Sequence, residues 1–351
     1  MSNSFESALI IARAPLRISF AGGGTDLPAY YEQYGGFVLS ATISRSVYAL
    51  LSPGDYEQVN ITSSDYRVTH AGAVGPEGPS GSLALPWAVV QAMALERGVT
   101  LALSSEVPPG TGLGSSSAAV IALITAIAAY QQRSYTSGQV AELAADIEIV
   151  RLGQPIGKQD QYAAAYGGVN LFTFTKDGVT VAPVALPSET RAGLEQHLAL
   201  YFTGGTRQAG HILREQRTRT AAGETRTIES LHAIKAGVTP MRRAIEAGDY
   251  ATVGALLHEA WQLKRHVSSG ITTDAIDAAY ATARAAGALG GKITGAGGGG
   301  FMLLLVPPLA RQRVHAALTP LGLRYMPFTL EPRGAHIVVA GDHGPPLEPL
   351  E

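Results

Sequence analysis

The sequence predicts an α+β chain of two domains. Its 351 residues exceed what one small core needs, it opens on strand-like segments, and it closes on three more after a long helical stretch. Residues 10–20 and 37–51 cluster β-branched and apolar residues between glycine breaks and read as strands. Residues 70–82, rich in Gly, Pro and Ser, read as a surface loop. Leu85, Val89, Ala92, Met93 and Glu96 keep helical spacing over 85–97, and 100–107 alternates as a strand. A glycine and serine loop at 108–117 then opens into an apolar helix at 118–130.

Thr136 with Gln139 three residues on has the form of a capping box. Val140, Leu143, Ala144 and Ile147 supply the stripe of the helix that follows, which stops at Gly153 and Pro155. A short helix at 159–166 ends at Gly167-Gly168 and feeds a hairpin, 169–174 and 179–184, around Lys176-Asp177-Gly178. Pro183, Pro187 and the polar 188–191 have linker character, so the first domain is expected to span 1–190. The second, 191–341, starts with a strand at 198–203, continues through helices to about Ala286, and closes with β segments at 301–306, 323–330 and 336–340. Helices over one face of an antiparallel sheet is its simplest arrangement. Three prolines in 342–351 predict a loose tail.

Composition narrows the function. The formal net charge is −2, which gives no electrostatic case for nucleic acid or an anionic membrane as main partner. The absence of cysteine excludes disulfides, cysteine zinc sites and a cysteine nucleophile. Residues 1–12 carry no recognisable address, and the longest apolar run, thirteen residues at 118–130, is short of the roughly twenty that cross a bilayer. A cytoplasmic location is expected. Glycine, 41 of 351 residues, is well above its usual share of about 7%, so the backbone is being asked for unusual conformations.

Three glycine-rich segments stand out. Pro109-Gly110-Thr111-Gly112-Leu113-Gly114-Ser115-Ser116-Ser117 lies between a strand and a helix start, where unpaired N–H groups and the helix dipole attract anions. Phosphate is the expected guest, and three alternating glycines with three serines exceed what a simple cap needs. No Walker A sequence exists, because neither Gly157-Lys158 nor Gly291-Lys292 is followed by Ser or Thr. Gly295, Gly297 and Gly300 match Gly-x-Gly-x-x-Gly, yet they follow a helix and lead into a strand, the reverse of the dinucleotide-binding order. Ala21-Gly22-Gly23-Gly24-Thr25-Asp26 follows the strand that carries Arg17; taken alone, Asp26 reads as a cap for the next helix.

Ala14-Pro15-Leu16-Arg17 through Thr25-Asp26, then 109–119, then Lys292-Ile293-Thr294-Gly295-Ala296-Gly297-Gly298-Gly299-Gly300, taken in that order, resemble the GHMP small-molecule kinases over about residues 10–340. The resemblance implies an N-terminal α/β domain like ribosomal protein S5 domain 2, a C-terminal ferredoxin-like α+β domain, and phosphoryl transfer from ATP. Within the family, the stretches 13–26, 157–168 and 287–292 resemble the heptose 7-phosphate kinases, which implies phosphorylation of the anomeric hydroxyl. Galactokinases look like Gly-Glu-His-Thr-Asp where this chain has Gly22-Gly23-Gly24-Thr25-Asp26. A kinase for free L-fucose or galactose, or a sugar sensor without catalysis, are the alternative readings.

By the same resemblance, residues 109–117 wrap the ATP phosphates, and Ser116 and Glu148 hold Mg²⁺. Asp160 receives or orients the acceptor hydroxyl beside Arg17, while Gly23, Gly24, Thr25, Asp26, Gly297 and Gly298 shape the substrate floor. A guanidinium beside a carboxylate favours the anion, which orients an alcohol well but is a weak base. Asp160 is thus expected as a positioner that accepts the proton late. On the residues alone, Glu148 reads equally as a solvated helix residue and Asp160 as a helix cap. A sugar phosphate needs a cationic anchor, for which Arg207, Lys158 and Arg45 are candidates. The expected partner is a small-molecule sugar or sugar phosphate, and a homodimer is left open.

Overall fold

The computed structural model describes residues 9–54, 58–73, 78–95, 98–204, 209–268 and 270–340. Arg207 and the tail at 342–351 lie outside them. The described residues hold β1 (Ile10–Ala21), β2 (Gly36–Pro53), β3 (Gln58–Ser63), β4 (Val68–Ala73), β5 (Val99–Ser105), β6 (Val169–Thr175), β7 (Gly178–Pro183), β8 (Leu198–Phe202), β9 (Gly290–Ile293), β10 (Phe301–Leu305), β11 (Arg324–Met326) and β12 (His336–Ala340).

The first sheet runs β12-β1-β2-β5-β3-β4, with β6 and β7 added beside β2. β2 is long because its far edge serves two neighbours: residues 36–41 pair with β6 and 47–53 with β5. Its near edge pairs with β1 through two register shifts, one at Pro15/Leu16, where proline has no N–H to give. The apolar helix Ser115–Tyr130 lies on β1 and β2 and is buried nearly all round, as its unbroken apolar sequence requires. The Thr136–Gln139 capping box forms as expected.

The second sheet is antiparallel in the order β11-β8-β10-β9, which is 4-1-3-2 by chain position, the ferredoxin-like order. Both of its faces are covered, where the sequence suggested one. Ala199, Tyr201, Met302 and Leu304 join a core under its own helices, whereas Leu198, Leu200, Leu303 and Leu305 join the core of the first sheet. The cause is visible in Phe301–Leu305, where no polar residue alternates with the apolar ones.

Several expectations need correction. The polar stretch after Pro187 is the helix Ser188–His197, anchored by buried Leu194, so a boundary at 190/191 cuts a helix. β12, assigned by sequence to the second domain, pairs with β1 and returns the chain to the first sheet. Part of the loop at 70–82 is the edge strand β4, whose largely exposed residues carry no apolar alternation to read. The β segment at 323–330 stops after Met326 because Pro327 cannot donate to a ladder. β9 separates the last glycine segment from the helix before it, and its glycines are needed for contact: a Cβ on Gly290 would sit 1.8 Å from the Gly254 carbonyl oxygen. Among the described residues no helix is long and apolar enough to cross a membrane.

Candidate active site

The strand β5 and the helix Ser115–Tyr130 leave the loop 106–114 between them. Gly110, Gly112 and Gly114 all take positive φ, at 74°, 82° and 77°, so alternate residues are left-handed and the backbone curls into a concave nest before the helix start. Two neighbours hold it. The backbone N–H of Arg17 on β1 donates to Leu113 O at 3.0 Å, and the 294–300 segment packs beneath. A Cβ on Gly295 would lie 2.5 Å from Gly112 Cα. Gly295→Ala is expected to cost about 2–4 kcal/mol through this clash and its positive φ. The check is the denaturant midpoint; a parental midpoint would show that the loop does not depend on this approach.

Arg17, 4% exposed, aims its guanidinium across the loop. Nε and Nη2 donate to the two oxygens of Asp160 at 2.7 and 2.8 Å, and Nη1 donates to Gly112 O at 2.7 Å. This bidentate fork fixes the carboxylate in the first turn of the helix Gln159–Tyr166. Asp160 therefore spends its oxygens on Arg17, not on helix capping.

Glu148 is fully buried, which removes its reading as a solvated residue. It lies on a wider π-type turn, Asp146–Arg151, that continues the helix Ser137–Ala145. Ser116 Oγ donates to one oxygen at 2.7 Å and Gln161 Nε2 to the other at 2.6 Å. Burial pushes this carboxyl up to about 7 despite the hydrogen bonds from Ser117, Ser116 and Gln161, with the charge of Asp160 adding to the rise. The two acids, twelve positions apart, thus meet at one loop: Asp160 under Gly114, and Glu148 under Ser116.

Arg17, Ser116 and Asp160 line a cleft of about 270 Å³, which Glu148 meets only through Ser116. One wall is formed by Gly110, Gly112 and residues 114–117, and another by Gly22, Gly23, Gly24 and Asp26; helices of the second domain close the side. Asp26 does not cap the helix after it. Its carboxylate instead accepts from Gly24 N at 2.9 Å and Gln159 N at 3.2 Å, which ties the first glycine segment to the Asp160 helix. Burial, then the charge of Asp160, raises its carboxyl.

Other expected site residues are placed elsewhere. Thr25 is buried, with Oγ1 bonded to Gly22 O and Phe37 O, and faces the fold instead of the cleft. Gly297 and Gly298 pack against Ile271, to which Gly298 N donates at 2.7 Å, while Gly295 and Ala296 reach the cleft. Lys158 pairs with Glu142 at 2.8 Å in a separate groove beside Tyr162 and Tyr166. Arg45 is held by Pro327 O and Glu106. Conversely, Gln161 and Lys264 were not anticipated. Lys264 was readable, since Leu257, Trp261 and Lys264 share an i, i+4, i+7 stripe whose first two members are buried; Gln161 carried no sequence signal.

Residues 84–168 match the GHMP kinases N terminal domain, and residues 241–320 match the GHMP kinases C terminal domain. The D-glycero-alpha-D-manno-heptose 7-phosphate kinase of Campylobacter jejuni is 33% identical over 88% of this chain and 93% of its own length. The crystal structure of a D-glycero-D-manno-heptose 1-phosphate kinase from Bacteroides thetaiotaomicron superposes with a TM-score of 0.78 at 29% identity, covering 93% of this chain and 98% of that one. The L-fucokinase/L-fucose-1-P guanylyltransferase of Bacteroides fragilis is 26% identical over 95% of this chain but only 39% of its own length. Fold and cleft are those of a small-molecule phosphotransferase with an alcohol group as acceptor. The chain belongs to the GHMP kinases, which take their phosphoryl group from ATP.

Proposed function

We propose that this kinase transfers the γ-phosphoryl group of ATP to the anomeric hydroxyl of D-glycero-D-manno-heptose 7-phosphate, giving the 1,7-bisphosphate and ADP. The observation that carries the reading is the convergence of Asp160 and Glu148 on one glycine-lined loop. The likeness to the Campylobacter jejuni enzyme supports the choice of sugar.

In this reading residues 109–117 hold the triphosphate through backbone N–H groups, which act on charge without reorganising during transfer. Asp160, locked by Arg17, orients the acceptor oxygen toward the γ-phosphorus. As the new P–O bond forms and the bond to the β-phosphate bridging oxygen breaks, the hydroxyl proton passes to Asp160. An anomeric hydroxyl is more acidic than an ordinary alcohol, so a weak base suffices. Asp26, Gly23 and Gly24 face the sugar; the two small glycines leave room for a large one.

The donor set suits magnesium. One buried carboxylate and one hydroxyl, both hard oxygen ligands beside a phosphate loop, leave positions for phosphate oxygens and water. Bound there by Ser116 and Glu148, Mg²⁺ would neutralise charge on the transferring phosphoryl group.

Incubation with ATP and, separately, heptose 7-phosphate, L-fucose, galactose and mevalonate tests the proposal, with ADP release and ³¹P NMR of the product as readouts. A second phosphorus resonance on the heptose phosphate is expected. No turnover of that sugar, with turnover of another, would remove the substrate assignment.

A further inference from the structure

We propose that Lys264, with Lys292 behind it, anchors the phosphate group that the sugar substrate already carries. The inference rests on the phosphorylated-sugar reading above. Among the described residues three cations line the cleft: Arg17, Lys264 and Lys292. Arg17 is committed to Asp160 and Gly112. Lys158 and Arg45, the other cations near the motifs, are engaged outside the cleft.

Lys264 ends the helix Tyr250–Lys264, and its ammonium touches only carbonyl oxygens, those of Gly295 and, at 3.5 Å, Ile293. Lys292 on β9 donates to Phe20 O at 3.3 Å. No carboxylate among the described residues pairs with either. Burial first, then the Arg17 charge, pushes Lys264 down to about 8 against a smaller pull from Asp26, and burial with the charges of Lys264 and Arg17 pushes Lys292 well below its usual value. Lys292 is buried and Lys264 partly so, and neither is hydrogen-bonded to a carboxylate among the described residues; a dianionic phosphate on the cleft side would favour the charged form of both.

Lys264 borders the nucleotide loop through Gly295, which packs on Gly112, so the two anion sites adjoin and KM for ATP must be read beside the sugar. The triphosphate has its own receptor in the 110–117 nest, whereas Lys264 shares its helix with Ala260, which lines the side of the cleft formed by the second domain. The charge of Asp26, beside the sugar glycines, acts directly on Lys264. A neutral sugar would give neither ammonium an anion to bond, so the pair selects for a phosphorylated one.

The test compares parent, Lys264→Met and Lys264→Arg proteins on heptose 7-phosphate and on the same heptose without phosphate, with KM for ATP measured alongside. A lost charge-assisted contact should lower kcat/KM for the phosphorylated sugar about 30- to 100-fold in Lys264→Met. The ratio of kcat/KM for the phosphorylated over the free heptose should fall by a similar factor, and Lys264→Arg should keep most of that ratio. Equal losses on both sugars, or a raised KM for ATP instead, would overturn the anchor. A parent enzyme that ignores heptose 7-phosphate overturns the substrate reading together with the anchor. A parent that uses it, with a Lys264→Met protein that still prefers it, overturns the anchor alone. Should Lys264→Met not fold, Lys264→Gln serves in the same comparison.

Discussion

Asp160→Asn is expected to lose about two to four orders of magnitude in turnover while binding ATP as the parent does. The substitution keeps the size of the side chain but removes the negative charge that the Arg17 fork grips at 2.7 and 2.8 Å, and with it the proton acceptor. Arg17, nearly buried, then faces an amide, which should cost about 1–3 kcal/mol of stability, discounted because the Asp160 side chain is a quarter exposed. Single-turnover kinetics separate the two effects: folded, ATP-loaded protein must still fail to transfer. Near-parental turnover would take Asp160 out of the chemistry.

Glu148→Gln carries the second large effect. The amide would break the acceptor set for Ser116 and Gln161 and remove the one buried carboxylate beside the loop. Turnover should fall at least tenfold to a hundredfold, recovered in part by raising Mg²⁺. The pH dependence is distinctive. Because the folded carboxyl titrates at about 7 against an ordinary 4.5, the folded protein binds that proton more tightly than the unfolded chain. Its contribution to stability is therefore full below about pH 4.5 and is lost as pH rises through about 7. Metal binding needs the deprotonated form, so apparent Mg²⁺ affinity should weaken toward tenfold per pH unit below about 7. Glu148→Gln should flatten both profiles; unchanged slopes would mean that Glu148 neither titrates there nor meets the metal.

Local periodicity was legible in the sequence and long-range pairing was not. The Gln159–Tyr166 helix, the capping box and the strand-loop-helix order around 108–117 could be read from residue type and spacing. β4 and β9 escaped because one is an exposed edge and the other is half glycine, so neither shows an alternating stripe. The return of β12 to β1 depends on 300-odd residues of intervening chain, which no local pattern encodes. In the site, the alternating glycines announced the left-handed nest at 110–114, since positive φ at alternate positions needs them. The side chains that turn away, Thr25 and Lys158, are of types that suit a sugar pocket and a structural bond equally. Only their neighbours in space decide, and for Lys158 the neighbour is Glu142, sixteen positions back.

The most direct measurement is anomalous scattering from Mn²⁺ in crystals grown with a non-hydrolysable ATP analogue. The account predicts a metal peak about 2.0–2.2 Å from Ser116 Oγ and a Glu148 oxygen. The β- and γ-phosphates should lie on the backbone of residues 110–117, with the γ-phosphate facing Asp160. A triphosphate seated away from that loop, or a metal that touches neither Ser116 nor Glu148, would contradict it.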